Sequence, residues 1–172
     1  MIMTVLRGTY VTLRPATDDD VPALAAIRRT PEVRAWWRAA EDMDAEVSRD
    51  LADPDTRTLA VEYEGRTVGA IQWAAEQDPD YRHAGIDVYL APAVHGKGLG
   101  TDAVRTLAAH LVDEEGHHRL TIDPAADNTA AIRAYIKVGF RPVGVLRRYE
   151  RGDDGTFHDG LLMDLLAEEL IR

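Results

Sequence analysis

The sequence predicts one α/β domain with a mixed central sheet of about seven strands and helices on both faces. Three observations predict it. Strand-like and helix-like segments follow one another in the order β-α-α-β-β-β-α-β-α-β-β. A glycine-rich stretch, Val94-His95-Gly96-Lys97-Gly98-Leu99-Gly100-Thr101, joins a strand to an amphipathic run. Hydrophobic residues make up 45% of the 172, enough to fill a sizeable core, and no repeat, low-complexity tract or linker divides the chain. A single domain over 1–172 is expected.

In chain order, Gly8 to Arg14 alternates and is β-rich, and Pro15 ends it as the first strand. Thr17-Asp18-Asp19-Asp20 reads as a helix start, with the helix running through Val21, Leu24, Ala25 and Ile27. Pro22 is tolerated in its first turn. Thr30-Pro31 breaks this helix. Glu32 to Trp37 forms a second, short one, and Asp42 to Leu51 a weak third, before the loop Asp53-Pro54-Asp55. Arg57–Tyr63, Glu64-Gly65 and Arg66–Trp73 read as a β-hairpin with a short glycine turn. An acidic loop, Gln77 to Asp80, leads to a strand from about Arg82 to Leu90. The helix after the glycine turn runs to about Glu115, where Gly116 stops it; Val104, Leu107, Ala108 and Leu111 mark its apolar face. Arg119–Asp123 is a short strand ended by Pro124, and Asn128–Val138 a helix stopped by Gly139. Phe140–Leu146 and His158–Leu166 are the last strands, joined through Gly152-Asp153-Asp154-Gly155.

Composition removes several classes of function. Cysteine is absent, which excludes disulfides, thiolate metal sites and a thioester acyl-enzyme. The net charge of −10, from 30 acidic and 20 basic residues, disfavours nucleic acid and favours cationic partners, although on charge alone a solvated acidic surface is the plainer account. No apolar run approaches a membrane span, and Met1 to Arg7 lacks the pattern of a signal peptide, so a cytoplasmic protein is expected. His83, His95, His110, His117, His118 and His158 show no ligand spacing, and no metal is expected. His117-His118 reads as a favourable charge at a helix end.

A glycine turn entering a helix suits an anion, phosphate above all. It removes Cβ atoms from the ligand's approach, and the helix start leaves N–H groups unpaired. A Walker loop fits poorly, because Gly98 follows Lys97 where Ser or Thr is needed. A Rossmann fingerprint also fits poorly, because the pattern is GxGxG at mid-chain. His95-Gly96-Lys97-Gly98-Leu99-Gly100-Thr101 instead resembles the pyrophosphate loop of the GCN5-related N-acetyltransferases (GNAT), with His95 standing where that family usually has Gln or Arg. Asn128 to Phe140, ending Tyr135-Ile136-Lys137-Val138-Gly139-Phe140, is similar to the family's second acyl-CoA helix, and the strand order agrees over essentially the whole chain. Tyr10–Arg14, Val33–Trp37, Gly85-Ile86-Asp87 and Thr121-Ile122-Asp123-Pro124 resemble the aminoglycoside 6′-N-acetyltransferases within it.

The resemblance implies a GNAT fold, acetyl-CoA as cosubstrate and a small cationic amine, an aminoglycoside first, as acceptor. The phosphates would lie on Gly96 to Thr101, His95 included, and Asn128 would meet the pantetheine arm or merely cap its helix. Val88, Tyr89 and Leu90 would offer N–H groups to the thioester carbonyl. Acetylation needs a neutral amine, and a carboxylate near the acyl carbon can hold the ammonium and accept its proton, directly or through water. Asp87 is placed for this in mid-strand, where Asp is disfavoured; an exposed ion pair is the plainer account of it. The resemblance gives Asp123 a role in binding the acceptor's amines, against a helix-start cap. It gives Tyr135 the role of protonating the leaving thiolate, against a core aromatic. Trp36 and Trp37 are a cleft wall or two rims of the core, and Gln72, Asp78 and Asp80 are candidates for the acceptor rim. Two alternatives stay open: the same chemistry on a protein N-terminus, siderophore or polyamine, and a non-catalytic acyl-CoA-binding module. The chain is expected as a monomer or homodimer.

Overall fold

The computed structural model describes residues 4–172, so Met1 to Met3 of the N-terminal reading lie outside the described residues. The first strand divides in two, β1 (Leu6–Arg7) and β2 (Thr12–Pro15). Between them the chain reverses, and the Gly8 N–H donates to the Val11 carbonyl at 2.8 Å. The cause lies more than ninety residues away. The buried carboxylate of Asp102 accepts the N–H groups of Thr9, Tyr10 and Val11 at 3.0, 2.8 and 2.9 Å. Three amides that a continuous strand would spend on a neighbour are thus collected by one side chain. Gly8 permits the approach, since a Cβ there would lie 2.5 Å from Thr106 Oγ1 and 2.6 Å from an Asp102 oxygen. The sheet has eight strands rather than about seven for this reason.

A 3-10 turn (Asp18–Asp20) leads into α1 (Val21–Arg28), then α2 (Pro31–Arg34) and α3 (Met43–Ala52). Asp20 accepts the Thr17 N–H at 2.8 Å and grips Arg14, which holds its carboxyl below the usual carboxylate range. The hairpin is β3 (Arg57–Tyr63) and β4 (Arg66–Glu76), turned by Glu64 and Gly65 at φ 51° and 75°. Next come β5 (His83–Leu90), α4 (Leu99–Asp113), β6 (Arg119–Ile122), α5 (Thr129–Val138), β7 (Arg141–Arg151) and β8 (Phe157–Leu166). The expected elements are all present, with β4 and β7 longer than the sequence indicated.

The sheet order is β1-β2-β3-β4-β5-β6-β8-β7. One face packs on α4 and α5. The predicted stripe Val104, Leu107, Ala108 and Leu111 is fully buried there, with Leu13, Ile71 and Ile86 opposite. The other face carries α1 to α3, with Leu24, Ile27, Met43 and Val47 around Ala70 and Tyr89. Apolar side chains at helical spacing meet alternate strand positions on both faces, which is why the sheet is buried from both sides. Among the described residues no helix is long and apolar enough to cross a membrane.

The sheet contains one parallel pair, β5 with β6, and it is short: Ala84 opposite Leu120 and Gly85 opposite Thr121. From Ile86 onward β5 stays with β4 but leaves β6, whose four residues end before Pro124. The sheet therefore splits at its centre, and the split positions the site.

Candidate active site

The glycine turn folds as its composition requires. Gly96 and Gly98 both sit at φ +77°, in the left-handed region that side chains with a Cβ disfavour, and open space lies where a Cβ would stand. Gly98 caps α4, and the first intrahelical bond there is Asp102 N–H to Gly98 carbonyl. The N–H groups of Leu99, Gly100 and Thr101 thus precede any helix acceptor and face outward with the positive end of a fifteen-residue helix. A groove of about 490 Å³ runs over this turn. Val88, Tyr89, Leu90, His95, Gly96, Gly98, Leu99, Gly100, Thr101, Asn128 and Tyr135 line it, as do Trp36 and Trp37.

The side chains of two cofactor candidates have partners within the protein. Lys97 is absent from the groove lining, and its ammonium lies 6.0 Å from the Tyr63 ring centroid, on the other side of the turn. His95 lines the groove, but its Nε2–H donates to the Leu90 carbonyl at 2.8 Å, so its ring pins the end of β5. The cations that do reach the groove are Arg133 and Lys137 of α5. Sequence reasoning missed them, although their i, i+4 spacing puts them on one helix face. Asn128 caps α5, accepting the Ala131 N–H at 3.2 Å.

Beyond Gly85, β5 has no partner on its β6 side. The Tyr89 carbonyl points to β4: a Cβ on Gly69 would lie 2.1 Å from it. The Leu90 carbonyl points away, to His95. Since a strand alternates its backbone groups, the Val88 and Leu90 amides face the split.

A second cavity, of about 140 Å³, adjoins the groove at Trp36, Trp37, Val88, Asn128 and Tyr135, and adds Asp87, Asp123 and Glu150. Asp87 and Asp123 also line a hollow of about 160 Å³ on the far side, with Gln72 in its wall. Gln72 is the cross-strand neighbour of Asp87. Asp87 is solvent-accessible where it opens onto these cavities, but the protein crowded around it thins the hydration of its carboxylate. Its pKa is pushed up to about 7, first by that desolvation, then by the charges of Asp123 and Glu150, while Gln72 pulls it down. Asp123 accepts the Tyr149 hydroxyl at 2.6 Å, and that bond lifts the phenol to about 12.

Tyr135 lies at the joint between groove and cavity, edge-on to Phe140 at 6.4 Å. Burial and the carboxylates of Asp87 and Asp123 push its pKa upward, which keeps the phenol protonated. Trp37 packs against Tyr89 with ring centroids 4.8 Å apart, and Trp36 is exposed, so the pair is both core rim and cleft wall. Asp78 and Asp80 are placed elsewhere. They sit in the exposed loop after β4, where Asp78 takes the Asp80 N–H at 2.9 Å, and neither lines a cavity that Asp87 lines. His117 is not a helix-end charge: it is buried against Trp73, and burial lowers its pKa. Glu150 and Tyr149 went unread in the sequence. Nothing in the local pattern of β7 marks them, because a shift in strand pairing brings them to the cavity.

Comparison with known proteins identifies the family. Residues 11–141 match the acetyltransferase (GNAT) domain family. The chain is 32% identical over 155 residues to an aminoglycoside N(6′)-acetyltransferase type 1 of Klebsiella pneumoniae, covering 79% of this chain and 76% of that protein. Its fold superposes on the solved structure of AAC(6′)-Ib in complex with paromomycin and acetyl-CoA at a TM-score of 0.77, with 27% identity over 93% of this chain and 95% of that one. Against Mycobacterium smegmatis RimJ in complex with CoA-disulfide the TM-score is 0.82, with 25% identity over 98% and 88% of the two chains. The chain belongs to the GNAT acetyltransferase family.

Proposed function

We propose that the protein transfers an acetyl group from acetyl-CoA directly to a primary amine of a small polycation, the 6′-amino group of an aminoglycoside in the first place. The observation that carries this reading is the pair Asp87 and Asp123, facing one cavity that opens into the groove over the glycine turn. Two carboxylates in one walled cavity attract an ammonium strongly, and the tryptophan pair beside them offers flat surfaces to a sugar ring. With its pKa near 7, Asp87 is about half ionised at neutral pH, poised to take the ammonium's proton directly or through a water. The Val88 and Leu90 amides, which face the split, would polarise the thioester carbonyl. Tyr135, protonated throughout, would give its proton to the leaving thiolate. With no cysteine in the chain, no cysteinyl acyl-enzyme forms, and direct transfer would hold both substrates together.

The phosphates of the cosubstrate would rest on the turn's N–H groups, with Arg133 and Lys137 as counter-charges. The test is thiol release from acetyl-CoA with kanamycin, spermidine and N-terminal peptides as acceptors. Turnover with kanamycin supports the reading. Turnover with peptides alone moves the protein to N-terminal acetylation, and binding of CoA without turnover on any amine makes it a non-catalytic module.

A further inference from the structure

We propose that Glu150 is a specificity-determining residue for the acceptor: it takes a second ammonium of a substrate whose reacting amine lies at Asp87 and Asp123. This rests on the reading of the cavity as the acceptor site. The argument starts in the pairing of β7 with β8. Leu146 stands opposite Gly160 and Glu150 opposite His158, so Arg147, Arg148 and Tyr149 all face the single residue Asp159. Arg148 is driven to φ +48°, an uncommon conformation for a residue with a Cβ, and Asp159 holds it there by accepting its N–H at 2.8 Å.

In a regular strand Tyr149 and Glu150 would point to opposite faces. The bulge turns both toward the cavity: the Tyr149 hydroxyl reaches Asp123, and Glu150 lines the wall shared with Asp87 and Trp36. Gly160 leaves room for this, since a Cβ there would lie 3.0 Å from the Tyr149 ring.

Glu150 also lines a further hollow of about 330 Å³, which shares Trp36 and Ala125 with the acceptor cavity and continues it outward. It therefore stands where the non-reacting part of an acceptor would leave the cavity. Arg38 is near enough to act on its charge, but among the described residues no cation is within ion-pair distance of it. An accessible carboxylate facing two others, with no cation in contact, is repelled by both, and a dicationic ligand relieves that repulsion where a monocation relieves it only in part. The acceptor class this selects carries at least two ammonium groups a few bonds apart.

Glu150→Gln keeps the shape and removes the charge. Steady-state kinetics would be measured with kanamycin, which carries several ammonium groups, and glucosamine, which carries one. The expected result is a rise of about tenfold in the KM for kanamycin, the size of one charge-assisted contact, with a much smaller change in kcat and in the KM for acetyl-CoA. Wild-type preference for kanamycin over glucosamine should shrink accordingly. An unchanged KM for kanamycin overturns the assignment, and so does an equal loss of kcat with both acceptors, which would mark a structural role. If the wild-type protein acetylates no polycation, the acceptor reading falls and this inference with it. If it acetylates kanamycin and Glu150→Gln behaves like wild type, the inference alone falls.

Discussion

Replacing Asp87 by Asn should damage activity and stabilise the fold at once, and the pairing of the two effects is what tests the site. The Asp87 carboxyl has a pKa of about 7 in the folded protein, against an ordinary value of 3.8. Between those values the unfolded chain has lost this proton while the folded one keeps it. Stability therefore falls as pH rises from about 4 to about 7, and the deficit persists above 7. Asn carries no such deficit. At pH 8 the variant should be more stable than wild type, and at pH 4 or below the two should agree. The carboxylate faces an open cleft where water screens it, so the expected gain is on the order of 1 kcal/mol, about 2–4 °C in Tm for a chain of this size. Thiol release should drop by about two to four powers of ten, the contribution of a positioned base. Thermal unfolding at pH 4 and pH 8, beside steady-state kinetics, measures both. Near-wild-type turnover removes Asp87 from the base role, and a lower Tm at pH 8 refutes the argument for its raised pKa. A merely misfolded variant loses both properties and is thereby told apart.

Four further outcomes are expected. In wild type, kcat/KM should rise about tenfold between pH 6 and pH 8 from Asp87 alone. Asp123→Asn removes one of the charges that lift Asp87, so the rising limb should move to lower pH; an unmoved limb would show that Asp123 does not act on the base. Tyr135→Phe keeps the ring against Phe140 and removes the proton donor. It should lower kcat by about a hundredfold or more with little change in the KM for acetyl-CoA, whereas an unchanged kcat would leave Tyr135 as packing. Asp102→Asn leaves one acceptor oxygen for three backbone donors, so at least one N–H of Thr9 to Val11 loses its partner. It should cost about 1–3 kcal/mol in urea unfolding, and an unchanged midpoint would show that the turn holds without it.

Much of the molecule was readable in advance because the signals are local. A helix face repeats within four residues, so the buried stripe of α4 is visible in Val104 to Leu111. A hairpin needs positive φ at its tip, so Glu64-Gly65 announced one. The phosphate turn is legible for the same reason: Gly96 and Gly98 occupy the backbone region that glycine alone enters freely. Lys97, between them, shows the limit. The sequence places it in the turn but does not say on which side its ammonium emerges, and the face toward Tyr63 takes it.

By itself, then, the sequence determined the succession of elements, the glycine turn and the strand that carries Asp87. Each of these is set by propensities and spacings among neighbours along the chain. Only the tertiary structure decided that the first strand breaks where Asp102 gathers its amides, that β5 parts from β6 after Gly85, and that Asp78 and Asp80 stand outside the cleft. It likewise decided that Glu150 lines the cavity and that the Tyr149 hydroxyl reaches Asp123. These depend on which strand pairs with which and in what register. One bulge can turn two consecutive side chains toward the same cavity, and no rule of alternation read along β7 alone foretells it.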